Sequence, residues 1–189
     1  IILAGGYGKR LWPLTRDTAK PLLPIGDKVV LDYVMDRVLE LDDLDKIIVS
    51  TNLKFEEDFR KWMEKYRGVP LELSVEPSRR EEEKPGAVKA LYDLTSKFSD
   101  DYLIIAGDNV FTFSLKDLVE RYRRLKAPLV VLYDVGSFEL AKNYGVVEVD
   151  SESRIIGFEE KPANPKSTLV STGIYIYPRE IASTMKSYL

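Results

Sequence analysis

Three glycines follow the first apolar residues of the chain, and two basic residues come directly after them. The stretch is Leu3-Ala4-Gly5-Gly6-Tyr7-Gly8-Lys9-Arg10. Glycines let the backbone turn tightly and bring N–H groups close to phosphate oxygens, and the basic side chains supply charge for a polyphosphate. The pattern predicts a phosphate-binding loop after a strand, although a glycine-rich turn without a ligand is about as common at such a place.

The spacing of these glycines argues against two well-known phosphate loops. A dinucleotide fingerprint that begins at Gly6 requires a third glycine at position 11, where the chain has Leu11. A Walker A motif that ends at Gly8 and Lys9 requires Ser or Thr next, where the chain has Arg10. Neither a nicotinamide enzyme nor a P-loop ATPase is supported.

A candidate metal ligand, Asp108, follows the apolar run from Tyr102 to Ala106. The carboxyl ends of buried strands are where α/β proteins place their ligand groups. A carboxylate there suits Mg²⁺, a hard cation that prefers oxygen ligands and phosphates. Taken alone, an Asp at this place is more often only a turn residue.

Composition narrows the classes of function. The chain has 189 residues, 44% of them hydrophobic, and a net charge of −3, which predicts one α/β domain and gives no sign of nucleic-acid binding. Cys and His are both absent, which excludes a disulfide framework and argues against zinc hydrolase chemistry. Without a membrane-length apolar run or a signal peptide, we expect a cytoplasmic protein with no membrane partner. The absence of Gln beside abundant Glu, Lys and Arg is typical of thermophile proteins.

Strand and helix patterns alternate along the chain and must position these residues. The alternation predicts a mostly parallel central sheet with helices on both faces. Beyond it, a β-hairpin is expected around the turn at 150–153, then a long strand from Leu169 to Tyr177 and a helix from Ile181. In the parallel part, the first predicted strand ends at Leu3, and the others lie at 47–49, 71–75, 102–106 and 129–133. One helix is expected from Ala87 up to Phe98.

Two further segments, Arg10 to Thr15 and Lys20 to Ile25, extend the opening motif. The whole stretch from Leu3 to Ile25 resembles the signature of sugar-1-phosphate nucleotidyltransferases, a family that includes glucose-1-phosphate thymidylyltransferase and mannose-1-phosphate guanylyltransferase. The resemblance covers essentially the whole chain. It implies a Rossmann-like nucleotidyltransferase fold with a β-hairpin sugar-binding part, in a single catalytic domain at 1–189 that is truncated at both ends.

The resemblance also implies roles for residues at the nucleotide. Arg10 would bind the pyrophosphate leaving group, Lys20 would contact the reacting phosphates, and Asp108 would hold Mg²⁺. Together with Lys161, these are the expected catalytic residues. The expected nucleotide-binding residues are Leu3, Ala4, Gly5, Gly6, Gly8, Arg10, Glu76 and Gly86.

A second group of residues is assigned by resemblance to the sugar phosphate. Glu160 would bind sugar hydroxyls and Lys161 would pair with the phosphate of the sugar. Gly145 lies in a segment whose glycine approaches the sugar in the family, and Thr172 lies in a strand that lines the sugar pocket. Taken alone, Glu160 and Lys161 could be a surface pair and Gly145 a simple turn.

The chain departs from the family pattern at the base and beside the glycines. Lys9 stands where many members have Thr, and Glu76 stands where thymidylyltransferases have Gln. A carboxylate cannot donate a hydrogen bond to a base as an amide can. We therefore expect a relaxed or altered preference among dTTP, UTP and GTP.

The function predicted by the resemblance is synthesis of a nucleoside diphosphate sugar and pyrophosphate from a nucleoside triphosphate and a sugar 1-phosphate, with glucose 1-phosphate as the expected sugar. Two alternatives stay open: a non-catalytic regulatory homologue, and a nucleotidyltransferase for a non-sugar phosphate such as phosphocholine. A homo-oligomer is also left open. In the family a second carboxylate helps to hold Mg²⁺ and follows the segment that corresponds to Ile181–Leu189, so we expect residues 1–189 alone to bind nucleotide but to turn over slowly.

Overall fold

The computed structural model describes residues 1–97 and 100–189, which form two compact units. The first unit comprises Ile1–Pro128 and Ile176–Leu189, and the second comprises Leu129–Tyr175. Phe98, the expected end of the helix after Gly86, lies outside the described residues. The helix itself is observed at Ala87–Thr95.

A four-stranded parallel sheet forms the centre of the first unit, in the order β5-β4-β1-β6. The short strand β1 pairs with β4 on one side and with β6 on the other. A separate two-stranded antiparallel hairpin, β2 and β3, precedes the first helix. The strands are β1 Ile2–Leu3, β2 Pro24–Ile25, β3 Lys28–Val29, β4 Ile47–Asn52, β5 Leu71–Glu76 and β6 Tyr102–Ala106.

The helices of this unit are α1 Val30–Val38, α2 Glu56–Met63, α3 Ala87–Thr95, α4 Leu115–Leu125 and α6 Ile181–Tyr188. The chain runs outward from β1 through α1 and α2 to β5, and then crosses back through α3 to β6 on the other side of β1. Because parallel crossovers are right-handed, this reversal puts α3 on the opposite face from α1 and α2. The strand order therefore changes direction between β1 and β6, and ligands of such sheets bind outside the carboxyl ends of the strands at this point.

Apolar side chains of the central strands are buried, as expected for a sheet that helices cover on both faces. The buried side chains include Ile2 of β1, Val49 of β4 and Ile104 of β6. Among the described residues, no helix is both long enough and apolar enough to cross a lipid bilayer.

The second unit is mainly antiparallel. Strands β8 and β9 form a hairpin, β8 also pairs antiparallel with β10, and β7 pairs with β10. A small core packs Ala141, Val146 and Val170 against Val135. The elements are β7 Leu129–Asp134, α5 Phe138–Ala141, β8 Gly145–Val149, β9 Ile155–Glu160 and β10 Leu169–Tyr177. The last two residues of β10, from Ile176, are counted with the first unit.

Most of the predicted elements are confirmed. The strands expected at 102–106 and 169–177 are observed with those bounds, and the hairpin turns at 150–153. The predicted mostly parallel central sheet with helices is also confirmed. The patterns did not predict the β2–β3 hairpin or α5, because these elements have only two and four residues and are too short to show a period.

Asp32 in α1 accepts hydrogen bonds from several elements of the first unit. The indole N–H of Trp62 and the hydroxyl of Tyr66 donate to Oδ1, each at 2.8 Å, and Lys65 Nζ and the backbone N–H of Val29 donate to Oδ2, each at 3.0 Å. Only 6% of Asp32 is exposed. Burial by itself would raise the pKa of this carboxyl, but the four hydrogen bonds outweigh it and hold the pKa below its ordinary value.

We predict that Asp32→Asn lowers the free energy of unfolding by about 2–3 kcal/mol, because a buried acceptor and its charge are lost while the donors stay buried. Because the pKa of Asp32 is lower in the native protein than in the unfolded chain, its ionised form stabilises the fold above the ordinary carboxyl pKa. This stability is lost as the pH falls through the lowered native pKa. Urea unfolding, followed by tryptophan fluorescence, should therefore show the gap between wild type and variant closing below about pH 4.

The control for this experiment is Asp36→Asn, one turn along the same helix. Asp36 pairs with Lys28 at 2.7 Å and is half-exposed, so its loss should cost less than about 1 kcal/mol. Equal effects of the two substitutions would contradict the role assigned to Asp32.

Candidate active site

All the residues assigned to the nucleotide line one cavity of about 650 Å³ in the first unit. The cavity lies where β1 and β6 end, at the point where the strand order changes direction. The predicted residues that line it are Leu3, Ala4, Gly5, Gly6, Gly8, Arg10, Lys20, Glu76, Gly86 and Asp108. The structure thus brings together groups that lie up to 105 positions apart between Leu3 and Asp108.

The start of the glycine-rich loop is fixed by its neighbouring strands. The backbone N–H of Ala4 donates to the carbonyl of Ser50 at 2.7 Å, and that of Gly107 donates to the carbonyl of Leu3 at 2.8 Å. A Cβ at Gly107 would lie 3.1 Å from the Leu3 carbonyl oxygen. Glycine at 107 therefore allows the segment that carries Asp108 to lie close against the loop.

Gly8 gives this loop its sharp turn. Its φ is +59°, in the left-handed region that glycine adopts without strain. The buried hydroxyl of Thr15 donates to the Gly8 carbonyl at 2.7 Å. A Cβ at Gly8 would lie 3.0–3.2 Å from the Thr15 side chain, so both the φ angle and the contact favour glycine.

Four basic residues line the cavity, Lys9, Arg10, Lys20 and Lys84, and they differ in their pairing. Lys20 Nζ lies 2.6 Å from Asp108 Oδ2. Lys9 pairs with Glu82 at 2.6 Å and with Glu81 at 3.3 Å. These hydrogen bonds raise the pKa of Lys9, and the bond from Lys9 lowers the pKa of Glu82. The acidic 3₁₀ turn Glu81–Glu83 is thus connected to the glycine-rich loop.

Arg10 differs from Lys9 and Lys20. Within residues 1–97 and 100–189 its side chain makes no hydrogen bond or ion pair, and it is exposed in the cavity wall. A free guanidinium with several donors suits a polyphosphate oxygen cluster.

Glu76, the residue assigned to the base, is held by a chain of hydroxyl groups that the sequence did not indicate. The Ser78 hydroxyl donates to Glu76 Oε1, and the Tyr7 hydroxyl lies 3.1 Å from Ser78 Oγ. Ser78 and Tyr7 are 2% and 5% exposed. Burial is the main cause that raises the pKa of Tyr7 above its ordinary value, so the phenol keeps its proton at neutral pH.

Asn52, which sequence reasoning also missed, holds the glycine-rich loop to the end of β4. Its side chain is fully buried, Nδ2 donates to the Gly5 carbonyl at 3.1 Å, and Oδ1 accepts from the Lys54 backbone N–H at 3.0 Å. The next residue, Leu53, donates its backbone N–H to the carbonyls of Glu76 and Ser78. A polar residue at the carboxyl end of an apolar strand was the available signal, because such ends carry ligand groups.

The residues assigned to the sugar phosphate lie in the second unit. Gly145 pairs with Glu160 across the β8–β9 ladder, and a Cβ at Gly145 would lie 2.8 Å from the Phe158 ring and 3.0 Å from Glu160 Oε2. Lys161 Nζ lies 2.7 Å from Glu160 Oε1. The Thr172 hydroxyl donates to the Val131 carbonyl at 2.8 Å, which leaves it only an acceptor role.

Lys161 also has an unusual backbone. Its φ is +47°, in the left-handed region that non-glycine residues rarely adopt, and its backbone N–H donates to the Tyr144 carbonyl at 3.0 Å. Lys126 and Ser153 also have a positive φ, so this angle alone does not distinguish a functional residue.

The fit of Mg²⁺ to this site rests on one carboxylate. Over the described parts of the chain, no group of three or more acidic, His or Cys side chains lies close enough to hold a metal ion. Asp108 nevertheless lines the cavity with the basic residues, and only Oδ2 is paired with Lys20. One carboxylate with substrate phosphates is a common way of binding Mg²⁺, so the residues present fit the ion in that form.

Comparisons with known proteins agree with this arrangement. A family model described as nucleotidyl transferase matches residues 1–189. A UTP–glucose-1-phosphate uridylyltransferase of Haloferax volcanii is 31% identical over 94% of this chain and 70% of its own length. A glucose-1-phosphate adenylyltransferase of Rhodopirellula baltica is 29% identical over 94% of this chain, which spans only 44% of that relative.

A solved structure is similar over the whole chain. A protein of Bacillus anthracis described as a glucose-1-phosphate thymidylyltransferase, in complex with a sucrose, has a TM-score of 0.87 and 30% sequence identity to this chain. The similarity covers 100% of this chain and 74% of that protein. The predicted Rossmann-like nucleotidyltransferase fold is thereby confirmed.

We predict that Gly8→Ala lowers the free energy of unfolding by about 1–3 kcal/mol, because alanine at a positive φ is strained and its Cβ crowds Thr15. Gly6→Ala is the matched control, since a Cβ there meets nothing within 4 Å. Thermal unfolding measures both effects. A Gly8 variant as stable as the Gly6 variant would show that the turn does not need glycine.

Proposed function

Because the chain belongs to the nucleotidyl transferase family, we propose that it makes a nucleoside diphosphate sugar and pyrophosphate from a nucleoside triphosphate and a sugar 1-phosphate. Glucose 1-phosphate is the proposed sugar. The names of the three relatives above all contain it, while they differ in the nucleotide.

The observation that carries the proposal is the cavity of the first unit. Glycine N–H groups, the free guanidinium of Arg10 and the Lys20–Asp108 pair surround one space at the carboxyl ends of the parallel strands. Backbone N–H groups and cations around a water-accessible space at such a place are suited to a triphosphate.

The chemistry requires no protein nucleophile. An oxygen of the sugar phosphate attacks the α-phosphorus, its bond to phosphorus forms as the bond to the bridging oxygen breaks, and pyrophosphate leaves with the electron pair. The attacking oxygen is already anionic, so catalysis consists of positioning and of neutralising phosphate charge. This agrees with a chain that has no His and no Cys.

Each basic residue has a separate proposed role. Arg10 binds the phosphates that leave, Lys20 binds the reacting phosphates, and Lys161 binds the phosphate of the sugar. Asp108 would hold Mg²⁺, which when bound supplies positive charge to phosphate oxygens. Because Lys20 is already hydrogen-bonded to Asp108, the lysine is held in position before a nucleotide arrives.

A pyrophosphate-release assay tests the proposal directly. ATP, GTP, UTP and dTTP are each combined with glucose 1-phosphate, with other sugar 1-phosphates and with phosphocholine, in the presence of Mg²⁺. We expect pyrophosphate release that requires a sugar 1-phosphate. Release with phosphocholine alone, or no release with any pair while nucleotides bind, would overturn the proposed reaction.

We predict that Asp108→Ala lowers kcat by about 100-fold or more, because small misplacements of reacting groups are costly, and that it leaves the unfolding temperature nearly unchanged because the side chain is partly exposed. Steady-state kinetics and thermal unfolding measure the two quantities. Glu57→Ala, at an exposed carboxylate paired with Lys61 on α2, is the control. Retention of most of the wild-type rate would remove Asp108 from the reaction.

We also predict that Lys161→Ala raises the KM for the sugar phosphate by roughly 10-fold or more, the worth of a charge-assisted hydrogen bond, and leaves the KM for the nucleotide within about twofold. The matched control is Lys166→Ala, in the same unit, where Lys166 lies 3.8 Å from Glu148 and is largely exposed. If both variants have wild-type kinetics, Lys161 is only a surface charge.

A further inference from the structure

Glu76, which the family resemblance assigns to the base, has a carboxylate that is held by the Ser78 hydroxyl. Glu76 is the last residue of β5 and lines the cavity. Its carbonyl and that of Ser78 both accept from the backbone N–H of Leu53, at 3.0 and 3.2 Å. The turn after β5 is therefore held to the end of β4, and its backbone cannot shift freely.

The direction of the hydroxyl chain follows from the chemistry of its end. An ionised carboxylate only accepts hydrogen bonds, so the Ser78 hydroxyl donates its one hydrogen bond to Glu76 Oε1. Ser78 Oγ must then accept from Tyr7, whose hydroxyl lies 3.1 Å away. The chain therefore runs from Tyr7 through Ser78 to Glu76, and every donor in it is satisfied.

The first member of this chain belongs to the phosphate loop. Tyr7 stands between Gly6 and Gly8, and its ring packs against Phe55 with centroids 6.1 Å apart. Lys84 Nζ lies 5.8 Å from the centre of the same ring. The residue that orients the base-end carboxylate is thus itself positioned by the loop that faces the phosphates.

From this arrangement we infer that Tyr7 and Ser78 are positioning residues. They orient Glu76 to accept hydrogen bonds from a base that has two neighbouring N–H donors, and among the common bases this is guanine. The inference rests on the proposed function for its reaction. Guanine presents a ring N–H beside an amino group, and a carboxylate can accept from both. Uracil and thymine present one N–H between two carbonyl oxygens, and adenine and cytosine present an amino group beside a bare ring nitrogen. In those four, a lone pair would face a carboxylate oxygen, which costs binding energy.

Equilibrium binding of GTP, UTP, ATP and inorganic tripolyphosphate to the purified protein, measured by calorimetry, tests the inference. A paired contact to a base edge is worth about 1–3 kcal/mol, so we expect GTP to bind roughly 5- to 150-fold more tightly than UTP or ATP. Ser78→Ala and Tyr7→Phe should reduce this ratio several-fold while leaving the affinity for tripolyphosphate unchanged. Glu76→Gln should shift preference toward UTP, because an amide both donates and accepts.

The control is Tyr33→Phe, which removes a hydroxyl that donates to the Ile25 carbonyl and should leave every ratio unchanged. Wild-type protein that binds UTP or ATP at least as tightly as GTP would overturn the guanine assignment. Ratios that survive both Ser78→Ala and Tyr7→Phe would overturn the positioning role. The binding ratios do not depend on turnover. An absence of pyrophosphate release would therefore count against the proposed reaction and not against the recognition of guanine by Glu76.

Discussion

The short strand β1 sets the geometry of the site, because it lies between two longer strands and ends level with β6, while β4 continues to Asn52. Its two residues, Ile2 and Leu3, are in parallel register with β4 and β6. Two backbone hydrogen bonds, from Ala4 to Ser50 and from Gly107 to Leu3, extend that register past the ends of the strands. The glycine-rich loop and Asp108 lie side by side because of these pairings.

Charge around the cavity is already partly balanced within the protein. Lys20 is paired with Asp108, and Lys9 with Glu81 and Glu82, whereas Arg10 has no such partner in the chain as described. A triphosphate would therefore meet two cations that have carboxylate neighbours, and two, Arg10 and Lys84, that have none among the described residues. The carboxylates keep the lysines in place in the absence of a ligand, which lowers the cost of ordering them when the phosphates bind. Only one of these carboxylates, Asp108, is also the proposed metal ligand.

The sequence predicts the longer elements and the motif residues of the nucleotide site, because both depend on local signals. The apolar run from Tyr102 to Ala106 is predicted with its observed bounds, and the residues from Leu3 to Leu11 line the cavity together with Lys20. Asn52, Ser78 and the hydroxyl of Tyr7 are not predicted. The Asn52–Gly5 and Tyr7–Ser78 contacts join positions 47 and 71 residues apart. The position of Asn52 at the end of an apolar strand was a signal, whereas nothing in the local pattern distinguishes Ser78 or the Tyr7 hydroxyl from ordinary loop residues. The pairing of Lys9 with Glu81 and Glu82 is equally non-local. By itself, the charged run at 79–84 indicates only a solvated loop.

The contact of Gly145 with its partner strand has a consequence for the evolution of this sheet. The space that a side chain at position 145 would need is filled by the Phe158 ring and the Glu160 carboxylate. A larger residue at this position would force the exposed Phe158 ring or the Glu160 carboxylate to move away from β8. The three positions are therefore expected to change as a set during divergence.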